Sequence, residues 1–105
     1  PCGPSLGATL TGRNGRRMVL RVGGMNGMLG ALGIGGAPAS TVSCGPATTP
    51  IAAVILVPDP NGISLAVPLS PSLMGLLTLQ YAELLPGGQL AFSNGVVAVL
   101  RCQAP

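Results

Sequence analysis

Asp59 and Glu83 are the only carboxylates in a chain of 105 residues that has no histidine and no lysine. Histidine is the usual general base near neutral pH, and the Ser-His-Asp and Cys-His arrangements both require it. A serine–lysine nucleophile is closed off in the same way. The acid chemistry that remains is a glycosidase pair, in which both carboxyls must flank one sugar. Asp59 sits between Pro58 and Pro60, where a turn accounts for it, and Glu83 shares a strand face with Tyr81. No catalytic pair and no enzymatic activity are expected. Asp59 and Asn61 are the only candidates for a Ca²⁺ site, with carbonyls supplying the other ligands; no metal or cofactor is expected. Gly33-Ile34-Gly35-Gly36 is not a phosphate cradle, because no Gly-Lys-Ser/Thr follows it.

The cysteines are Cys2, Cys44 and Cys102. Their wide spacing fits neither a zinc pattern nor a Cys-x-x-Cys redox motif. One disulfide with a spare thiol and three buried thiols both remain open. An exported protein favours the bridge, and its spare cysteine would link subunits or be buried.

Positive charge is localised. Arg13, Arg16, Arg17 and Arg21 fall close together, Arg101 stands apart, and the net charge is +3. Such a cluster forms a patch for polyanions, acidic polysaccharide among them, or a solvated hairpin that keeps an apolar domain dispersed. Nucleic acid is not expected as a partner, since binding it usually involves stacking aromatics. The only rings are Tyr81 and Phe92, both with apolar neighbours and expected in the core.

The elements that must hold these residues are short. Charged residues make up 7% of the chain and hydrophobic ones 48%, with 17 glycines and 11 prolines. Asn14-Gly15, Asn26-Gly27, Asn61-Gly62 and Asn94-Gly95 are strong hairpin signals. Between breaks lie runs that read as strands near Ser5–Thr11, Arg16–Val22, Met28–Ile34, Ile51–Val57, Ile63–Pro68, Leu76–Leu85, Gln89–Ser93 and Val96–Cys102. Met18, Leu20 and Val22 alternate with Arg17, Val19 and Arg21, the pattern of a half-buried strand. Ile51–Val57 is apolar on both faces, so it is a central strand or one covered by another molecule. Ser70-Pro71 suits a helix start, giving one helical turn at about Pro71–Met74. The expectation is an all-β chain: one domain over residues 1–105, an antiparallel β-sandwich of about 7–8 short strands. The longest wholly apolar run, Ile51–Val57, stops at Pro58; a spanning helix needs about 20 such residues. The start at Pro1-Cys2-Gly3-Pro4 lacks a basic region followed by an apolar stretch, so export implies a leader already removed.

A set of landmarks runs in order through most of the chain: Cys2-Gly3-Pro4, Cys44-Gly45, Asp59-Pro60-Asn61-Gly62, the alternating Ile63–Leu69, Leu73-Met74-Gly75-Leu76, Leu79-Gln80-Tyr81-Ala82 and Ser93-Asn94-Gly95-Val96-Val97. The set resembles an uncharacterised domain of exported proteins from planctomycete-type bacteria. The resemblance implies an extracellular β-sandwich, often appended to larger exported proteins, with Cys2 paired to Cys44. Cys102 lies outside that pattern, and the chain stops just after its last strand.

A surface this poor in charge favours burial against copies of itself. The expected function is therefore an extracellular, non-catalytic structural protein at the cell surface: a self-associating subunit of a filament, sheath or surface layer. Ile51, Val54, Ile55 and Val57, with Val96, Val97 and Val99, are the expected subunit contacts, being β-prone and uncharged. Cys102 is a candidate intersubunit link. The alternative is a secreted adhesion module for polysaccharide or a surface partner, using Arg13, Arg16, Arg17 and Arg21.

Overall fold

A computed structural model describes residues 3–12, 16–36, 45–46, 51–70 and 74–100. It contains eight strands in two antiparallel sheets. They are β1 (Ser5–Thr11), β2 (Arg17–Gly23), β3 (Leu29–Gly35), β4 (Ala52–Leu56), β5 (Ile63–Pro68), β6 (Gly75–Leu84), β7 (Leu90–Phe92) and β8 (Val96–Leu100). Each expected strand is present, with small shifts at its ends. Pro71–Leu73, most of the expected helical turn, lie outside the described residues; Met74 is not helical, and β6 begins at Gly75.

The first sheet runs β1-β2-β5. Its registers pair Leu6 with Val22, Ala8 with Leu20 and Leu10 with Met18, and on the other side Val22 with Ile63, Leu20 with Leu65 and Met18 with Val67. Because side chains alternate across a strand, this register gathers every large apolar residue of the three strands, Val19 excepted, onto one face. The opposite face carries Ser5, Gly7, Thr9 and Thr11, then Arg17, Val19 and Arg21, then Ser64 and Ala66. Pro68 closes β5 at the sheet edge, where its missing N–H costs no ladder bond.

The second sheet runs β4-β3-β6, with β7 and β8 end to end along the far side of β6. Leu32, Leu79 and Tyr81 face the first sheet and join Leu6, Met18, Leu20, Val22, Met25 and Leu56 in one core. Fully burying a side chain of this size contributes about 1.5–3 kcal/mol. Tyr81 fits because β3 offers a glycine beneath it: a Cβ at Gly30 would fall on the tyrosine hydroxyl. The glycine-rich stretch thus serves as a surface for close approach, here by a ring.

Asn-Gly pairs do not all close hairpins. Asn61-Gly62 turns the chain from β4 in one sheet to β5 in the other. Asp59 Oδ1 accepts the Asn61 N–H at 2.8 Å, the Asp59 carbonyl accepts the Gly62 N–H at 2.9 Å, and Gly62 takes φ of 89°. Asn94-Gly95 lies between β7 and β8, which both pair with β6 in the same sense. The register slips by one residue there, from Ala82↔Phe92 to Leu79↔Val96, so Ser93–Gly95 is a β-bulge. The Asn-Gly signal encodes a tight local backbone, and tertiary pairing decides what that backbone connects.

The bulge joins the two sheets. Ser93 Oγ accepts the Tyr81 N–H at 2.9 Å, replacing the ladder partner that the extra residue displaces. Gln80 Nε2 donates to the Ser93 carbonyl at 2.8 Å. Asn94 then reaches across to β1: its Oδ1 accepts the Leu6 N–H and its Nδ2 donates to the Leu6 carbonyl, both at 2.9 Å. The side-chain amide imitates a strand residue and pairs with the edge of the first sheet.

Candidate functional site

The two acids occupy different environments. Asp59 is exposed in its turn, with one oxygen committed to the Asn61 N–H. Glu83 is 2% exposed on the inner face of β6, and its Oε1 accepts the Asn26 N–H at 3.0 Å. That bond fixes the Met25–Gly27 connection between the sheets; a Cβ at Gly27 would lie 2.9 Å from the Glu83 Cβ. Glu83 Oε2 and the Tyr81 hydroxyl are both buried. Burial first, then the charge of the neighbouring Glu83 carboxylate and hydrogen bonding to it, hold the Tyr81 phenol above its ordinary value of 10.0. Of the two expected core rings, Tyr81 is fully buried, and Phe92 is half-buried beside Gln80 and Ala82 on the outer side of the second sheet.

Of the clustered arginines, Arg17 and Arg21 are exposed on the outer face of the first sheet. Arg16 precedes β2, is half-buried, and its carbonyl accepts the Leu69 N–H at 2.7 Å. Arg13 lies outside the described residues, as do Cys2, Cys44 and Cys102, so the expected bridge and spare thiol fall there too. Around Arg21 the face sinks into a shallow depression of ≈ 550 Å³. The run of arginines in sequence gave notice of the patch; the depression needed β1 and β5, whose glycine and serines flank β2 only through pairing.

β4 resolves the choice left open for Ile51–Val57. It is an edge strand: β3 pairs with one side, and no strand among the described residues pairs with the other. Ile51 is 82% exposed, Ile55 65% and Val57 79%, and Val54 is also exposed. Among the described residues β4 is therefore an edge strand and not a central one. Val97 and Val99 are exposed on the outer face of β8, beside Leu76, whereas Val96 turns inward against the core. The exposed large apolar side chains are distributed unevenly. Among the described residues, every one except Leu10 lies in a strand of the second sheet or directly flanks one. No helix among the described residues is long and apolar enough to cross a membrane.

In comparison with known proteins, no family model, no curated sequence and no solved structure matches this chain.

Proposed function

We propose that this protein is a non-catalytic structural subunit that associates with copies of itself through its second sheet, in an extracellular filament, sheath or surface layer. The observation that carries the reading is β4: an uncharged strand edge, unpaired among the described residues, with exposed Ile51, Val54, Ile55 and Val57. An open edge offers a row of backbone N–H and C=O groups to another strand, and proteins that stay monomeric blunt such edges with lysine, proline or a covering element. β4 has no charge and no proline within Ala52–Leu56. Val97 and Val99 extend the apolar surface at the far side of the same sheet.

The test is assembly size by sedimentation velocity across micromolar concentrations. Wild type is expected as large species that need no ligand. Ile55→Lys is expected to disperse them while the far-UV spectrum stays unchanged, since surface substitutions usually alter stability by less than about 0.5 kcal/mol. A wild type that remains monomeric, or assembly indifferent to lysine in β4, sinks the reading.

A second reading, an adhesion module, is favoured by a separate observation: Arg17 and Arg21 share one exposed face of the other sheet.

A further inference from the structure

We infer that the depression around Arg21 binds an anionic group carried on an extended acidic polysaccharide; this rests on the adhesion reading and narrows it to one site. Strand pairing sets Gly7, Arg21 and Ser64 side by side in a row across the sheet. Ser5 pairs with Gly23 in the next row on that face, and Asn61 closes the end. The depression exists because glycines stand where side chains would fill it. A Cβ at Gly7 would meet nothing within 4 Å. Arg21, Ser5, Ser64 and Asn61 line this one depression, and guanidinium, hydroxyl and amide groups are together the donors that hold a carboxylate or sulfate. Opposing negative charge is sparse. Of the two carboxylates, Glu83 is buried in the other sheet, and Asp59, bonded to the Asn61 N–H, is the one that stands near the end of the depression.

The same face continues to Arg17, four positions along β2 and so ~13 Å away. The intervening row is Thr9, Val19 and Ala66, none large enough to block the way. Two cations at that separation on a smooth track suit a polymer with repeated negative charge. The face has no ring for stacking a nucleobase, because Tyr81 is in the core and Phe92 belongs to the other sheet.

Retention by polygalacturonate, dextran sulfate and neutral dextran is measured at low salt, with each variant's thermal unfolding recorded as a check on the fold. Wild type is expected on both acidic polymers and not on neutral dextran. Arg21→Gln should weaken binding by about tenfold or more, the usual worth of a hydrogen-bonded charge, and Arg17→Gln by a smaller factor. Gly7→Leu should weaken it about as much as Arg21→Gln, although net charge is unchanged. If Gly7→Leu binds like wild type while both arginine variants fail, the depression is not the site and only the adhesion reading survives. If free galacturonate competes as well as the polymer at equal carboxylate concentration, the extended ligand is wrong. If wild type binds neither acidic polymer, the site and the adhesion reading fall together.

Discussion

Tyr81 and Glu83 show what a charge-poor interior does with its few ionisable groups. Glu83 is buried beside Tyr81, and it fixes the chain between β2 and β3 through Asn26. The Tyr81 phenol, pushed upward by burial and by Glu83, gives a signed prediction. The folded state holds that proton more tightly than the unfolded chain, where the phenol loses it near 10.0. Its contribution to stability is complete below that value and is lost as pH rises through the folded-state pKa. Thermal unfolding followed from pH 8 to pH 11 should therefore show a steeper alkaline decline in wild type than in Tyr81→Phe. The variant removes the titrating group and leaves the ring in place, so the difference between the two alkaline slopes isolates the phenol. Identical alkaline slopes would exclude the phenol as the responsible group. Glu83→Gln keeps an acceptor for the Asn26 N–H and removes a buried charge, so it should be tolerated. Glu83→Ala abandons that N–H and should cost about 1–3 kcal/mol.

At the scale of elements, the bulge between β7 and β8 explains how two sheets hold together at this edge with few charges between them. One extra residue re-aims Asn94 toward β1, and its amide takes both backbone groups of Leu6. Asn94→Ala strands a buried-edge donor and acceptor together, and should lower unfolding free energy by about 1–3 kcal/mol in a denaturant titration. Asn94→Asp should be at least as damaging. It keeps an acceptor for the Leu6 N–H but sets a carboxylate oxygen against the Leu6 carbonyl. An alanine variant as stable as wild type would mean that the sheets are held by the core alone. The strands were legible in the sequence because alternation such as Met18, Leu20 and Val22 against Arg17, Val19 and Arg21 is a local property of a half-buried strand. The bulge was not. Asn94-Gly95 carries the same two letters as a hairpin turn, and only the pairing of both neighbours with β6 separates the two.

For the whole molecule, the sheets divide the surface between them. Apolar exposure gathers on the second sheet, and the described exposed arginines sit on the outer face of the first. Self-association through one sheet would leave the other free, so the two proposed activities should separate by mutation. Ile55→Lys protein, once dispersed, should still be retained by polygalacturonate. Assembled wild type should be retained more strongly, because linked copies make each later contact intramolecular. Retention that disappears in Ile55→Lys would show that the polymer binds the assembly interface and would contradict the division.

The class of fold was legible in the sequence, because alternation with regular breaks reflects how a single strand meets water on one side. Composition says only that these 105 residues offer no histidine base and no serine–lysine nucleophile. The tertiary structure decided everything that depends on which strand lies beside which. Among the described residues it gave β4 a partner on one side only, although an apolar run reads the same whether it is covered twice or once. It brought Gly7, Arg21 and Ser64 into one row from three separate segments, and it turned Asn94 from a turn residue into a clasp. Pairing between segments distant along the chain is set by the energy of the assembled core, and that energy is not written in any one stretch of residues.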